Sequence, residues 1–145
     1  MNIAIDPGTT HSAFVQFHNG KVIDHGHLPN EEMRQVLIGR EYTRCACEMI
    51  ASYGMAVGAS TFETCVWIGR FIEVARVDVE LIFRKDIKLF LCGTMRAKDA
   101  NIRQALIDKV GPQGTKAQPG PTYGIKSHSW AALAVAVYAA QQKEK

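Results

Sequence analysis

Asn2-Ile3-Ala4-Ile5-Asp6-Pro7-Gly8-Thr9-Thr10 is a short apolar run that stops on an acid followed by a pair of strand breakers. Residues 1–5 are strand-like, and Pro7-Gly8 ends the strand because neither residue supports a continuing ladder. The chain resumes as a strand over 11–17. Asn19-Gly20 then supplies the two positive-φ positions of a tight hairpin, and residues 21–28 make a third strand. Three antiparallel strands joined by tight turns therefore open the fold.

Outward from that start, the pattern alternates helix and strand. Residues 30–38 read as a helix, with Asn30 as its cap and Glu31 and Glu32 at its positive end. Residues 44–48 are a short strand in which Cys45 and Cys47 alternate with Ala46 and Glu48. After a small-residue loop over 54–59, Ser60 or Thr61 caps a helix running to about Val74. Phe62, Cys65, Val66, Ile68 and Gly69 give that helix apolar and small faces fit to pack a second copy of the chain. Residues 77–83 alternate as a strand, and 84–96 are basic and mixed, with no element assigned. Residues 99–110 are helical, with Ile102, Ala105, Leu106 and Val110 on one stripe. Four glycines and three prolines make 111–124 a loop. Residues 127–142 form a last helix, apolar nearly all round and so buried or packed on another subunit, and Lys143-Glu144-Lys145 mark its exposed end. The class is α/β: a mixed five-stranded sheet with three antiparallel N-terminal strands and helices on its faces, one domain over 1–145.

Bulk composition excludes several classes. With 145 residues and 47% apolar content, one core forms and general disorder is out. The four cysteines lack zinc-site spacing and sit mostly in apolar segments, as reduced thiols would in a cytoplasm. No secretory leader is expected, since the sequence enters a strand-like run at once, and the apolar stretch 130–140 falls short of the roughly 20 residues that span a bilayer. No membrane association is expected, and the cytoplasm is the expected location. A net charge of +3 is compatible with nucleic acid but decides nothing alone.

Three polar residues stand at the edges of apolar elements: Asp6 ends the first strand, Glu48 ends the fourth, and His128 opens the last helix. Carboxylates at adjacent strand ends converge, because neighbouring strands lie about 4.8 Å apart. Two carboxylates and an imidazole suit Mg²⁺, or Mn²⁺ where the imidazole ligates. Two such ions roughly 3.5–4 Å apart activate a water and stabilise the leaving oxygen of a phosphodiester. Taken singly, each residue also has an ordinary reading: a turn Asp, a solvated Glu, a structural His.

Asp6-Pro-Gly-Thr-Thr10 resembles the first motif of two groups: the phosphate loop of actin-like ATPases, and the metal-ligating strand of RuvC-like Holliday junction resolvases. The first group closes two such domains around its nucleotide, needs more than twice this length, and has a second phosphate loop that is missing here. The second matches in order along nearly the whole chain. Cys45-Ala-Cys-Glu48 resembles the resolvase strand ending in the second catalytic acid, and residues 54–70 resemble the loop and long helix that pack the resolvase dimer. His128-Ser-Trp-Ala-Ala-Leu-Ala134 resembles the closing motif, in the form common among phage-encoded relatives. The resemblance implies a ribonuclease H-like fold and a homodimeric, Mg²⁺- or Mn²⁺-dependent endonuclease in a bacterial or phage-infected cytoplasm. It would nick four-way junctions, forks or flaps, with Asp6, Glu48 and His128 as catalytic metal ligands. Two departures stand out: His128 replaces the more usual Asp, and Ala131 replaces a fourth carboxylate, for which Glu63 is a substitute from a different helix. A junction-binding protein that does not cut, and an actin-like nucleotide-binding fragment, are the rival readings.

The same resemblance turns a basic stretch into a DNA contact. Lys85, Lys88, Arg96, Lys98, Arg103 and Lys116 crowd a window with few acids. Such contacts position DNA without reading its sequence. Tyr53, five residues after Glu48, is a candidate wedge for an unpaired base.

Overall fold

The computed structural model describes residues 1–143. The charged end expected at 143–145 lies outside the described side chains. Five strands, β1 (Asn2–Asp6), β2 (His11–His18), β3 (Lys21–Pro29), β4 (Arg44–Met49) and β5 (Val79–Phe83), form one sheet in the order β3-β2-β1-β4-β5. β1, β2 and β3 pair antiparallel, while β4 and β5 join parallel to β1 and to each other. The opening meander is therefore as expected. Asn19 and Gly20 both take positive φ, 50° and 76°, as a two-residue hairpin with the twist of its strands requires.

Strand alternation divides the core in two. Ile3, Ile5, Phe14, Cys45 and Cys47 meet Met33 and Leu37 of α1 (Asn30–Gly39) and Ile68 and Phe71 of α2 (Ala59–Val74) on one face. Ala4, Ala13, Val15 and Ala46 meet α3 (Arg84–Cys92), α4 (Asp99–Val110) and α5 (His128–Lys143) on the other. α5 is buried along most of its length, which explains why it is apolar nearly all round. Helices cover both faces, as expected. Among the described residues, no helix is long and apolar enough to cross a membrane.

Three local expectations are corrected. Residues 84–92 are a helix, α3, that follows β5 without a loop. Its Ile87 is buried and Phe90 and Leu91 half-buried, an i, i+3, i+4 set, and Gly93 ends it in the left-handed region at φ 74°. Asn30 does not cap α1. The cap position is Pro29, and the Asn30 side chain turns inward to the β1–β2 loop. Neither Ser60 nor Thr61 caps α2, which starts from Gly58 with no side-chain cap.

Candidate active site

Asp6 and Glu48 converge because of register. In the parallel pairing Ile5 lies opposite Cys47, so the next step along both strands sets Asp6 beside Glu48. Alternation puts both on the face of Ala4 and Ala46, toward α5. The start of α5 delivers His128, whose Nδ1 is 3.1 Å from Asp6 Oδ2. Ser127, just before it, holds a left-handed φ of 52°, a conformation uncommon outside glycine.

The loop after Asp6 is pinned by a closed ring of hydrogen bonds. Gly8 N–H donates to Ser12 Oγ at 3.1 Å, Ser12 Oγ–H to Asn30 Oδ1 at 2.6 Å, and Asn30 Nδ2 to Gly8 O at 2.9 Å. The Asn30 N–H adds a bond to Thr10 O at 2.9 Å. Gly8 has no room for a side chain, since a Cβ there would stand 2.3 Å from His11 O. Asp6 is thus fixed from behind by residues that never face the cleft. Buried polar groups satisfied in this way hold one geometry.

Asp6, Glu48 and His128 line a cleft of about 440 Å³ together with Arg84, Asp99, Ile102, Arg103, Ser127, Trp130 and Ala131. Burial raises the Asp6 carboxyl from 3.8 to about 6, the nearby Glu48 charge adds to the rise, and His128 and Arg84 oppose it. Glu48 is raised by its own burial and by Asp99, against the lowering effects of Arg84 and Lys88. The Arg84 guanidinium bridges two acids, with Nη1 3.3 Å from Glu48 Oε1 and Nη2 on Asp99 Oδ1. A second cleft of about 280 Å³ opens on the other side of Asp6, between the β1–β2 loop and β3. There His27 stacks on His128 with centroids 5.3 Å apart, and His11 tilts against His27 at 5.5 Å. Burial and these two neighbours hold His27 below its ordinary value.

No family model and no curated protein matches the sequence. Solved structures do. Thermus thermophilus RuvC matches with a TM-score of 0.67 at 18% identity, over 97% of this chain and 96% of that one. T. thermophilus RuvC in complex with Holliday junction substrate matches at 0.64 and 18% identity, over 97% and 95%. The fold is that of RuvC. It is the ribonuclease H-like fold expected from the ordered motifs, and at this identity the likeness is one of fold.

On this RuvC fold the expected residues fall into three groups. Asp6, Glu48 and His128 share the cleft, but among the described residues no three His, Cys, Asp or Glu side chains gather closely enough to hold a metal ion. The donor chemistry fits a hard divalent cation: two carboxylates that burial and neighbouring negative charge make costly, and an imidazole. Glu48 is paired with Arg84 at 3.3 Å. Of the basic set, Arg103 lines the cleft, its guanidinium 5.6 Å from the Trp130 ring centroid, and the Lys88 charge reaches Glu48. Lys85 lies 5.9 Å from the ring centroid of exposed Tyr53, so these two expected DNA contacts are neighbours. Arg96 and Lys98 are exposed between α3 and α4, and Lys116 is exposed in the 111–124 loop; none of the three lines the cleft. Glu63 is exposed on α2, on the opposite face of the sheet, and does not replace the acid missing at Ala131.

Sequence reasoning placed Arg84 only in the basic stretch 84–88 that resembles the resolvase approach to phosphates, and missed it and Asp99 as partners of the acidic cleft. Their signal was positional. β5 runs parallel to β4 with Phe83 opposite Met49, so the next residue, Arg84, emerges beside the end of the strand that carries Glu48.

Proposed function

We propose that the chain is a divalent-metal-dependent endonuclease that nicks Holliday junctions or related branched DNA, with 1–145 as one nuclease domain. The observation that carries it is a buried and a half-buried carboxylate at adjacent strand ends of a RuvC fold, the buried one bonded to His128, in a cleft that also holds two guanidinium groups. One solved RuvC holds a Holliday junction substrate, which supports the choice of substrate.

Asp6, Glu48 and His128 are the residues that would hold Mg²⁺ or Mn²⁺, which when bound supplies charge neutralisation and an activated water. The chain's own residues do the rest. Asn30 and Ser12 pin Gly8 in the loop that follows Asp6. Arg84 and Arg103 present guanidinium forks to phosphate oxygens, which they match in geometry. Lys85, Lys88, Arg96, Lys98 and Lys116 extend that charge as a backbone-contacting surface. Tyr53, exposed beside Lys85, stacks on an unpaired base at the branch.

A homodimer matches two sites to the two equivalent strands of a symmetric junction. The face that supports it is on α2, where Phe62, Val66 and Ile72 are 62%, 55% and 42% exposed along a helical stripe with Gly69 between them. Ala131 favours a second reading, a junction-binding protein that does not cut. A labelled four-way junction incubated with the chain in Mg²⁺ and in Mn²⁺ separates the two. Nicks that vanish in Glu48→Gln support the nuclease, and tight binding with no nick in either metal supports the binding protein.

A further inference from the structure

We propose that Arg84 is a resident counter-cation, stationed between Glu48 and Asp99, that competes with a divalent ion for Glu48 and turns to the DNA backbone when the ion binds. The inference rests on the metal-dependent reading above.

Arg84 is placed there by construction rather than by a flexible reach. It is the first residue of α3, joined without a loop to β5, and β5 is locked in parallel register to β4. Its guanidinium meets Glu48 from β4 with one nitrogen and Asp99 from the start of α4 with another. Only a planar, two-handed cation bridges acids on two elements in this way. Three carboxylates, Asp6, Glu48 and Asp99, face the two guanidinium groups of Arg84 and Arg103 across one cleft. Without a cation at Glu48, a buried and a half-buried carboxylate would stand unpaired at adjacent strand ends, a costly arrangement. Arg84 relieves it, and its charge lowers both Asp6 and Glu48.

The same contact is an obstacle. Arg84 Nη1 lies 3.3 Å from Glu48 Oε1, so a divalent ion ligated by Glu48 would compete with that contact and meet a positive neighbour. The second hand of Arg84 lies on Asp99, whose side chain is 86% exposed at the cleft mouth. Released from Glu48, the guanidinium stays tethered there beside Arg103, where an incoming phosphate replaces the lost anion. Metal entry and DNA engagement are thereby coupled through one side chain. Arg84 is a positioning residue in this scheme, acting through Glu48 before it touches substrate.

The test measures Mn²⁺ affinity without DNA by calorimetry, on the full chain and its Asp6→Asn, Arg84→Gln and Arg84→Lys variants. Junction affinity is measured separately in Ca²⁺. Arg84→Gln should bind Mn²⁺ about tenfold more tightly, because a like charge a few ångströms from the ion is removed, yet bind the junction more weakly. Arg84→Lys keeps the charge but loses the two-handed bridge, so Mn²⁺ should tighten only about two- to threefold. It also answers the question should Arg84→Gln not fold. These opposed shifts mark the counter-cation, since a merely structural arginine would weaken both kinds of binding. Mn²⁺ affinity unchanged or lowered in both Arg84 variants, with binding still lost in Asp6→Asn, overturns the inference and leaves the nuclease reading standing. No Mn²⁺ binding by any of the four proteins overturns both.

Discussion

Replacing the acid at the centre of the site should make the metal-free protein more stable. Asp6 titrates at 3.8 when exposed and at about 6 in the fold, chiefly because it is buried and secondly because Glu48 is near. Between those values the folded state holds a proton that the unfolded chain has released. Stability therefore falls as pH rises from about 4 to about 6, and the full penalty persists above that. The shift corresponds to about 3 kcal/mol at neutral pH. Asp6→Asn removes the charge and keeps a side-chain oxygen for His128, so it should recover much of that amount. For a chain of this size the gain is a rise in Tm of roughly 6–12 °C. Thermal melts in EDTA at pH 7.5 and pH 4 test it. The Asn variant should melt higher at pH 7.5, and the two curves should meet at pH 4. A wild-type protein as stable as the variant at pH 7.5 would refute the claim that Asp6 is held at an energetic cost. Saturating Mn²⁺ should reverse the order, because an ion bound only to the folded wild type stabilises it by mass action.

Other consequences follow from the same geometry. Phe62→Glu with Val66→Glu should convert a sedimenting dimer to monomer at micromolar concentration while far-UV circular dichroism stays unchanged, because both side chains are exposed on α2. Arg103→Ala should weaken junction binding across sequences and lower the salt slope by about 0.9 for a lost phosphate contact, as read by titration from low to moderate salt. Asn30→Ala should cost about 1–3 kcal/mol in urea unfolding, since it removes the acceptor of the buried Ser12 hydroxyl proton and the donor to the Gly8 carbonyl.

What was legible in the sequence follows from which signals are local. Asn19-Gly20 forces a hairpin wherever it sits, and Pro7-Gly8 stops β1 at Asp6, so the opening meander was readable without the rest of the fold. Glu48 and His128 were readable as edge residues of apolar elements, and the order of the motifs then implied that they meet. The β1–β4 register and the Asp6–His128 bond agree with that meeting. α3 was not legible because it follows β5 directly, with no breaker between them, and its charged residues mask the Ile87, Phe90, Leu91 stripe. The loss of α3 hid Arg84, whose position depends on β5 pairing with β4, a long-range event. Asn30 misled for a related reason. A polar residue before a helix satisfies the cap rule locally, but the β1–β2 loop across from it offers a buried carbonyl and hydroxyl that bind it instead.

The central claim is that Asp6 belongs to a hydrolytic centre for branched DNA. The most direct measurement is cleavage of a synthetic four-way junction by the wild-type chain and by Asp6→Asn, in Mg²⁺ and in Mn²⁺, with binding of the same junction followed in parallel. Nicks that need a divalent ion are expected from the wild type, and in the Asn variant a junction that is bound but intact. A junction left intact by the wild type in both metals, or cut by Asp6→Asn at the wild-type rate, would contradict it.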